Sequence, residues 1–459
     1  MNNPHLTVLQ VNLRDIQGGA AQISWNLHRA FQRRGITDYV AVERKFSADD
    51  KIFVIEHEKY KPSWIRFIRK IGRKLQASSP TIRGTGHLGD FLIARSNYQR
   101  RHDFNRGIED FYAPGTKYLL EQVKQPIDIL QLHNLHKDWT DHREYFDLRA
   151  LPYLCSKVPT VITLHDAWTL SGHCAHSFEC ERWRTGCGNC PDLSIYPAIR
   201  KDNTAYNWNR KKAIFSQCNL SVITPSQWLM DKVDQSILKP AIRTKRVIPN
   251  GVDLSIFHPG KGDRDALGFP TDVNILLFTA DGISINKFKD FATLRKAIYI
   301  VSQSISDILF IALGEEGPNE TIGSAQIRFI PYTKDSDIVA SYYRAADLYL
   351  HAARADTFPN TVIEALACGT PVISTEVGGI SEQIKNGETG FLTPMGDAPA
   401  MADRIMLLIR ERGLRTQMGH LAFEDAAQRF NLELQVDRYL SFYNDILSKI
   451  NNIKDNVNP

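Results

Sequence analysis

The chain has 459 residues, of which 43% are apolar. A chain of this length is too long for one ordinary hydrophobic core and fits two domains of roughly 200 residues each. Its 56 basic and 51 acidic residues leave a formal charge of +5, a mild excess that excludes a dedicated nucleic-acid-binding protein. The first residues lack a basic segment before their short apolar run, and no apolar run approaches the about 20 residues of a membrane-spanning helix. The sequence therefore predicts a cytoplasmic protein.

Predicted strands alternate with helices in the first half of the chain. A strand at 6–13 leads into the glycine pair Gly18-Gly19 and then into a helix with one apolar face. Further strands are predicted at 38–42, 127–132, 158–164 and 220–224. This alternation favours a parallel sheet with helices on both faces.

The same pattern restarts after a segment rich in turn-forming residues. Strands are predicted at 274–280, 307–313, 327–331, 347–352, 371–374 and 390–392. The prediction is an α/β protein with two doubly wound Rossmann-like domains facing each other across a cleft. Its parts are an N-terminal domain at 1–250, a linker at 251–272, a second domain at 273–430, and a C-terminal helix at 431–459 that packs back on the body.

The segment from Asp356 to Glu364 follows a predicted strand and enters a helix, with Pro359 near its first turn. A helix N-terminus offers unpaired N–H groups and the positive end of the helix dipole, which suit a diphosphate. The two carboxylates would be about 12 Å apart in a fully helical segment. Such a pair can accept hydrogen bonds from sugar hydroxyls at one end and from a ribose diol at the other. A buried helix whose glutamate caps or pairs locally is the alternative.

The string from Asp356 to Ile373, DTFPNTVIEALACGTPVI, resembles the donor signature of family-four retaining glycosyltransferases of the GT-B fold. Asp356 stands where the family usually has a glutamate. The resemblance continues through VGGISE at 377–382 and NGETGFLTP at 386–394. It implies a retaining hexosyltransferase that uses a nucleoside-diphosphate sugar, bound by Phe358, Pro359, Asn360, Thr361 and Glu364.

The same resemblance implies a phosphate-binding lysine in the loop after the first strand of the second domain. Lys289 fits this place, with Asp290 where the family has glycine and Lys287 as a substitute for the family's preceding arginine. Solvated loop lysines are the alternative. Gly18-Gly19 resembles the glycine turn that approaches the donor phosphate or the acceptor, although an ordinary tight turn has the same sequence.

His165, followed by Asp166 at the end of a predicted strand, resembles the histidine that the family places near the reacting sugar. A histidine satisfied at a strand end is the alternative. His133 and His136 end another predicted strand and are candidates for the acceptor side. The resemblance thus implies catalytic roles for His165, Asp356 and Lys289. It also implies stabilisation of the leaving diphosphate by Lys289 and a helix N-terminus, so no catalytic metal is expected.

Four of the seven cysteines lie in one loop-like stretch, at Cys174, Cys180, Cys187 and Cys190. The close Cys187-Gly-Asn-Cys190 pair is common at tetrahedral zinc sites, so the four predict a structural zinc, with His173 and His176 as substitute ligands. Reduced, packed thiols or a partial disulfide are the alternatives. The surrounding sequence resembles a subgroup of these transferases that acts in bacterial surface-polysaccharide assembly of the colanic-acid type.

Residues 59–76 carry seven lysines and arginines and no acid. Trp64, Ile68, Ile71 and Leu75 fall on one helical face of this stretch. Such a helix can lie on the anionic inner leaflet, which would suit a lipid-linked saccharide acceptor in exopolysaccharide or lipopolysaccharide assembly. A solvated helix that packs its apolar stripe on the domain is the alternative.

Two other functions are compatible with this organisation. One is a different enzyme on the same two-domain plan, a nucleotide-sugar epimerase or a phosphorylase. The other is a non-catalytic nucleotide-sugar-binding subunit that partners an active transferase, because Asp356 and Lys289 stand in altered contexts.

Overall fold

The computed structural model describes residues 6–78, 85–137, 143–260 and 264–457. The chain divides into two compact units. The first unit comprises Met1–Ile223, Lys232–Lys245 and Tyr443–Pro459, and the second comprises Thr224–Asp231 and Arg246–Phe442. Each unit is thus assembled from separate stretches of the chain.

A parallel sheet forms the centre of the first unit. Its strands are β1 (Thr7–Arg14), β2 (Thr37–Arg44), β3 (Ile52–Val54), β4 (Ile129–Leu132), β5 (Thr160–Thr163), β6 (Leu220–Thr224) and β7 (Ile242–Val247). Among the described residues they lie in the order β3-β2-β1-β4-β5-β6-β7, and the pairs from β3 to β6 are parallel. Strands β4, β5 and β6 are buried at every position, as expected when helices cover both faces.

Helices connect and cover these strands. They are α1 (Gly19–Arg33), α2 (Ser63–Ala77), α3 (Thr85–Ser96), α4 (Tyr98–Asn105), α5 (Leu151–Lys157), α6 (Thr204–Phe215) and α7 (Gln227–Val233). Helix α1 buries Ile23, Leu27 and Phe31 along one face, which is the apolar stripe that its sequence predicts.

The second unit is built on another sheet. Its strands are β8 (Asn274–Thr279), β9 (Ile308–Leu313), β10 (Glu320–Ile322), β11 (Ala325–Ile330), β12 (Leu348–His351), β13 (Val372–Thr375) and β14 (Gly390–Thr393). Within the described residues their order is β10-β11-β9-β8-β12-β13-β14, and only the β10–β11 pair is antiparallel. The helices are α8 (Phe291–Ser302), α9 (Ser336–Ala345), α10 (Asn360–Ala367), α11 (Ala398–Arg410), α12 (Arg412–Arg429) and α13 (Leu432–Val457).

The core of the second unit lies on both faces of its sheet. Ile275 and Leu277 of β8 pack into one apolar cluster, whereas Leu276 and Phe278 pack into the other. All four side chains are at most 1% exposed. Successive side chains of a strand point to opposite faces, so a continuous apolar run is what a sheet buried on both faces requires.

The eleven strands that the sequence predicts are present, whereas β3, β7 and β10 were not predicted. Strands β3 and β10 have only three residues each, and β7 is a half-exposed strand of mixed polarity, so all three carry weak patterns. The predicted linker, 251–272, lies in the second unit, and its Val252, Phe257 and Phe269 belong to that unit's core. Residues 261–263 of this segment lie outside the described residues. In the described chain, no helix has the length and hydropathy to cross a membrane.

Candidate active site

The second sheet has a topological switch at β8, because the chain leaves β8 for its neighbour β9 on one side while β12 lies on the other. Ligands of open α/β sheets bind at the carboxyl ends of strands beside such a switch. Lys289 follows β8 in the sequence, His351 ends β12, and Asp356 follows it. The predicted donor residues are therefore gathered where this fold binds its ligands.

Lys289, Asp356 and His351 form a compact group at this edge. The Lys289 Nζ atom lies 2.8 Å from Asp356 Oδ2 and 3.3 Å from His351 Nε2. Burial alone would raise the pKa of Asp356, but Lys289 and His351 together outweigh it and hold that pKa below its usual range. Burial, with Lys289 acting in the same direction, lowers the pKa of His351 to about 4. At neutral pH the group therefore contains one cation, one carboxylate and a neutral imidazole.

Backbone pairing with the segment after β12 holds the Lys289 loop in place. Lys289 forms a bridge with Ala353, and the Arg354 N–H donates to the Phe288 carbonyl at 2.9 Å. Asp290, which stands where the resembled family has glycine, caps α8 by accepting from the Thr293 N–H at 3.1 Å. The replacement thus has a structural role. Lys287 is exposed on the same loop.

The donor segment consists of a loop followed by a short helix. Residues 356–359 precede α10, with Pro359 at its N-cap, and Glu364 is the fifth helical residue. The separation estimated for a fully helical segment therefore does not apply. The reason is local, because a residue before proline is biased away from helical dihedrals. The N–H groups at the start of α10 have no partner within the helix and are available to an anion.

Several side chains fix the start of α10. Asn250 Nδ2 donates to Asn360 Oδ1 at 2.9 Å, and Gln383 Nε2 donates to the Pro359 carbonyl at 2.9 Å. Phe358 is buried in the core and packs edge-on against Phe430 at 5.7 Å between ring centroids. Its side chain therefore anchors the loop in the protein interior.

Two glycines hold the loop against the turn after β13. Gly378 has φ +56°, and a Cβ atom there would lie 1.9 Å from the Asp356 carbonyl oxygen. A Cβ atom on Gly379 would lie 1.9 Å from the Thr357 carbonyl oxygen. Neither position can accept a side chain without moving the loop that carries Asp356.

Glu364 is partly buried on α10 and accepts a hydrogen bond from the Tyr343 hydroxyl at 3.0 Å. Burial raises the pKa of Glu364 to about 7, against a smaller opposite effect of the Tyr343 bond. This carboxyl group therefore changes charge near physiological pH, which is common at functional sites.

In the first unit the predicted glycine turn lies between β1 and α1. Gly18 is the N-cap of α1 with φ +102°, and space is open around the Cβ positions of both Gly18 and Gly19. Asn12 braces the turn by donating from Nδ2 to the Ala20 carbonyl at 2.9 Å. The turn therefore exposes the helix N-terminus without an obstructing side chain.

The predicted histidines lie at the carboxyl ends of β4 and β5. His133 Nδ1 is 3.0 Å from His165 Nε2, and His136 Nε2 is 2.6 Å from Asp166 Oδ2. Asp166 Oδ1 also accepts from the Trp168 N–H at 2.8 Å. The structure thus brings together His133, His136, His165 and Asp166, which the sequence assigned to two separate strands.

The four clustered cysteines are free thiols in the loop after β5. His173 Nε2 lies 3.3 Å from the Cys190 Sγ atom, and residues 187–189 have φ between 46° and 83°, which makes a tight left-handed turn. Burial raises the pKa of Cys174 to about 11 and that of Cys187 to about 12, with further contributions from neighbouring thiols. Across the described residues, no group of three or more His, Cys, Asp or Glu side chains is arranged to hold a metal ion. The structural zinc stays a prediction.

Three members of the second unit's site were missed by sequence reasoning: His351, Tyr343 and Asn250. His351 carried a usable signal, because it lies at the carboxyl end of a predicted strand of a parallel sheet. Tyr343 and Asn250 carried none, since they reach Glu364 and Asn360 from distant parts of the sequence.

Comparisons with known sequences identify related proteins. Residues 263–425 match the family model described as glycosyl transferases group 1. A protein named putative colanic acid biosynthesis glycosyl transferase WcaC, from Escherichia coli (strain K12), is 25% identical over 83% of this chain and 85% of its own length. A D-inositol 3-phosphate glycosyltransferase of Corynebacterium glutamicum (strain R) is 30% identical to this chain. The match covers 45% of this chain and 52% of that relative.

Solved structures show the same fold. Sucrose-phosphate synthase from Thermosynechococcus elongatus aligns with a TM-score of 0.62 at 17% identity, over 97% of this chain and 100% of its own. Anabaena Alr3699/HepE in complex with UDP-glucose aligns with a TM-score of 0.60 at 16% identity, over 95% and 100% of the two chains. The chain therefore has the GT-B fold, and its residues 263–425, which include Lys289, Asp356 and Glu364, match the group 1 glycosyl transferase domain.

Proposed function

We propose that this enzyme is a retaining hexosyltransferase that transfers a sugar from a nucleoside-diphosphate sugar to a saccharide acceptor. The observation that carries the proposal is the convergence of Lys289, Asp356 and the start of α10 at the carboxyl edge of the second sheet. A cation and unpaired N–H groups at one place suit a diphosphate. The structure of HepE in complex with UDP-glucose supports a nucleotide-sugar donor.

Each residue then has a definite role. The α10 N–H groups and Lys289 bind the diphosphate and stabilise the charge that develops on it as the sugar leaves. Asp356 accepts hydrogen bonds from sugar hydroxyls, and Glu364 accepts them from the ribose diol. The bond between the anomeric carbon and the phosphate oxygen breaks while the acceptor oxygen bonds to the same face of that carbon. The leaving phosphate takes the acceptor's proton.

A surface-polysaccharide saccharide is the proposed acceptor. The name of the Escherichia coli relative, which covers most of this chain, supports it. The D-inositol 3-phosphate glycosyltransferases, whose names indicate a small polar acceptor, match a smaller share of the chain. A small phosphorylated polyol is therefore the second candidate.

A basic and aromatic surface on α2 and α3 supports contact with an anionic membrane. Its exposed apolar side chains are Trp64, Phe67, Leu88 and Phe91, at 51–64% exposure. Large apolar side chains that remain in water beside positive charges are typical of helices that lie on anionic lipid. Arg66, Lys70 and Lys74 of α2 supply the positive charges of this surface.

Two other basic residues of this stretch pair with Glu144 of the same unit. Arg69 Nη1 lies 3.1 Å from Glu144 Oε1, and Lys61 Nζ lies 2.8 Å from Glu144 Oε2. Arg66, Lys70 and Lys74 make no ion pair with any described residue. Of the face predicted from sequence, Ile68, Ile71 and Leu75 are half-buried and only Trp64 is exposed. The helix therefore packs one stripe and presents another to its surroundings, which supports a lipid-linked acceptor at the inner leaflet.

A panel of nucleotide sugars tests the enzymatic proposal. We expect slow hydrolysis of one donor to nucleoside diphosphate and free sugar, and faster release of the diphosphate when a saccharide acceptor is added. Epimerised donor would instead indicate an epimerase, and binding without turnover a non-catalytic subunit. Either result would contradict the proposal.

Flotation with phosphatidylglycerol-containing vesicles tests the membrane contact. We expect binding at low salt that is lost when salt raises the ionic strength to about 0.5 M. Lys70→Glu and Trp64→Ala should each weaken binding severalfold, because each surface lysine contributes about 1 kcal/mol near anionic lipid. Lys296→Glu, an exposed lysine on α8, is the matched control. Equal loss in the control, or no flotation at low salt, would contradict the membrane contact.

A further inference from the structure

A chain of hydrogen bonds crosses four neighbouring strands of the first sheet and ends on His165. It links Asp38 on β2, Gln10 on β1, His133 directly after β4, and His165 after β5. The distances are 2.8 Å from Gln10 Nε2 to Asp38 Oδ2, 2.9 Å from His133 Nε2 to Gln10 Oε1, and 3.0 Å from His133 Nδ1 to His165 Nε2. We call these four residues the Gln10 relay.

Asp38 fixes the orientation of the Gln10 amide. Asp38 Oδ2 lies 2.6 Å from His28 Nδ1, and burial raises the pKa of Asp38 despite the opposing effect of His28. Gln10 presents its NH2 group to Asp38 Oδ2, which leaves the Gln10 carbonyl oxygen facing the other way. Ser24 Oγ donates to that same carbonyl oxygen at 2.9 Å. Gln10 is completely buried, so water offers it no alternative partner.

The Gln10 carbonyl in turn sets the tautomer of His133. A carbonyl oxygen only accepts, so His133 must carry a proton on Nε2. Burial lowers the pKa of His133 well below its ordinary value, and the ring is neutral. A neutral imidazole has one protonated nitrogen, so His133 Nδ1 is an acceptor, and its partner His165 Nε2 must donate to it.

His165 is also neutral near pH 7, because burial lowers its pKa to about 4. With its proton on Nε2, its Nδ1 atom is the hydrogen-bond acceptor of the ring. The charged and titratable groups around the relay are Asp38, His28 and Asp49 at one end, and Asp166 and His136 at the other.

We propose that Gln10 and His133 are positioning residues that hold His165 as its neutral Nε2–H tautomer. The proposal rests on the proposed function, because His165 is a predicted catalytic residue of that transferase. It implies that His165 acts on its ligand by orientation and acceptance, without a positive charge. It also explains why the interior of this sheet retains a row of polar side chains that apolar residues would otherwise fill.

Nitrogen NMR of the unliganded protein tests the tautomer directly. Histidine is labelled selectively with 15N, and the His165 signals are assigned by comparison with His165→Asn. We expect a protonated Nε2 and an unprotonated Nδ1 throughout about pH 6 to 8, with no titration in that range. A proton on Nδ1, or titration near the ordinary histidine pKa, would overturn the proposal. This measurement needs no turnover, so its failure is separate from failure of the proposed function.

Gln10→Met tests the positioning role. It removes the acceptor of His133 Nε2, so His133 can carry its proton on Nδ1 and donate to His165 Nε2, which moves the His165 proton to Nδ1. We expect the 15N spectrum of the variant to show an unprotonated His165 Nε2 in part of the molecules, and donor turnover to fall about tenfold, the loss of one hydrogen bond. Ser24→Ala, which removes only the second donor to Gln10, should keep the native spectrum and turnover. A native His165 signal in Gln10→Met, in a protein with native thermal unfolding, would overturn the positioning role.

Discussion

The Lys289 ammonium lies 2.8 Å from the Asp356 carboxylate, so the residue assigned to the donor phosphates is paired with the residue assigned to the sugar. Both side chains are mostly buried, at 13% and 18% exposure. The Lys289 charge helps to keep Asp356 ionised before the donor arrives. The pair also couples the phosphate-binding and sugar-binding roles, because removal of either partner leaves an uncompensated charge in a site that is largely shielded from water.

Lys289→Met should lower donor turnover by about two to three orders of magnitude, because it removes a cation aimed at the leaving diphosphate. Lys296→Met, at an exposed position on α8, is the matched control and should change turnover less than about threefold. Steady-state kinetics of donor hydrolysis measure both. Equal losses in the two variants would mean that the effect of Lys289→Met is not specific to the site.

The same substitution should change the pH dependence of Asp356. Without Lys289, only His351 opposes the effect of burial on this carboxyl group, so its pKa should rise. The residual activity of Lys289→Met should therefore fall as the pH is lowered across a range in which the native enzyme is constant. An unchanged acid limb would contradict the ion pair as the cause of the low native pKa.

Asp356→Ala should disturb sugar choice and turnover more than nucleotide affinity. The reason is that Asp356 stands before α10, and the proposed function assigns it to the sugar end of the donor and Glu364 to the ribose. Calorimetry with the nucleoside diphosphate, compared with turnover of two epimeric nucleotide sugars, separates these effects. Equal losses of nucleotide affinity and turnover would mean that the two carboxylates are assigned wrongly.

Glu364 should make donor affinity depend on pH near neutrality. Its pKa of about 7 means that it is protonated below this value and then accepts fewer hydrogen bonds from a ribose diol. The donor KM should therefore rise as pH falls through about 7, and Glu364→Gln should abolish this dependence. Tyr343→Phe removes a hydrogen bond that lowers the pKa of Glu364, so it should move the midpoint to higher pH. A shift to lower pH would contradict this account.

The same carboxyl group should influence stability. Its pKa is 4.5 in a model peptide and about 7 in the folded protein, so the folded state holds a proton that the unfolded state has released between these values. Stability contributed by this group is thus lost as pH rises from about 4.5 to about 7. Glu364→Gln should raise the Tm relative to the native enzyme at pH 8 and change it less at pH 5, measured by thermal unfolding. A stabilisation that is larger at pH 5 would refute this.

Gly379→Ala should damage the site through the backbone. Its Cβ atom would lie 1.9 Å from the Thr357 carbonyl, so the loop that carries Asp356 must move. We expect a loss of donor affinity and a destabilisation of about 1–3 kcal/mol, in the range of overpacked positions. Gly413→Ala, at an α12 position with nothing within 4 Å of the added Cβ, is the control and should be neutral or stabilising. Native donor binding by Gly379→Ala would show that the loop tolerates the shift.

Donor turnover should survive excess chelator at short times. The proposed function has Lys289 and the start of α10, and no metal ion, stabilise the leaving diphosphate. Activity that is lost immediately on chelation would contradict this prediction.

Elemental analysis of the purified protein should find one zinc per chain. The zinc should be lost in the double variant Cys187→Ser and Cys190→Ser. Native protein that carries no zinc would contradict this prediction.

Local sequence signals predicted much of this site. The Asp356–Glu364 segment combines a strand end, a proline at a helix start and two acids, and these short-range features determine where a helix begins and which groups it presents. The interaction of Tyr343 with Glu364 and the Gln10 relay were beyond such signals. Asp38, Gln10, His133 and His165 come from distant parts of the chain, and only the order of strands in the sheet makes them neighbours.

The sequence by itself determined the two doubly wound sheets, the location of the donor segment and the alternation of strands and helices, because apolar periodicity and turn chemistry are encoded in neighbouring residues. Tertiary structure decided how chain segments are shared between the two units, with Thr224–Asp231 in the second and Tyr443–Pro459 in the first. It also decided the ionisation of the site, since the pKa values of Asp356 and Glu364 depend on burial and on partners that folding brings close. The interaction between two charges depends on their distance in the folded structure, which their separation in the sequence does not give.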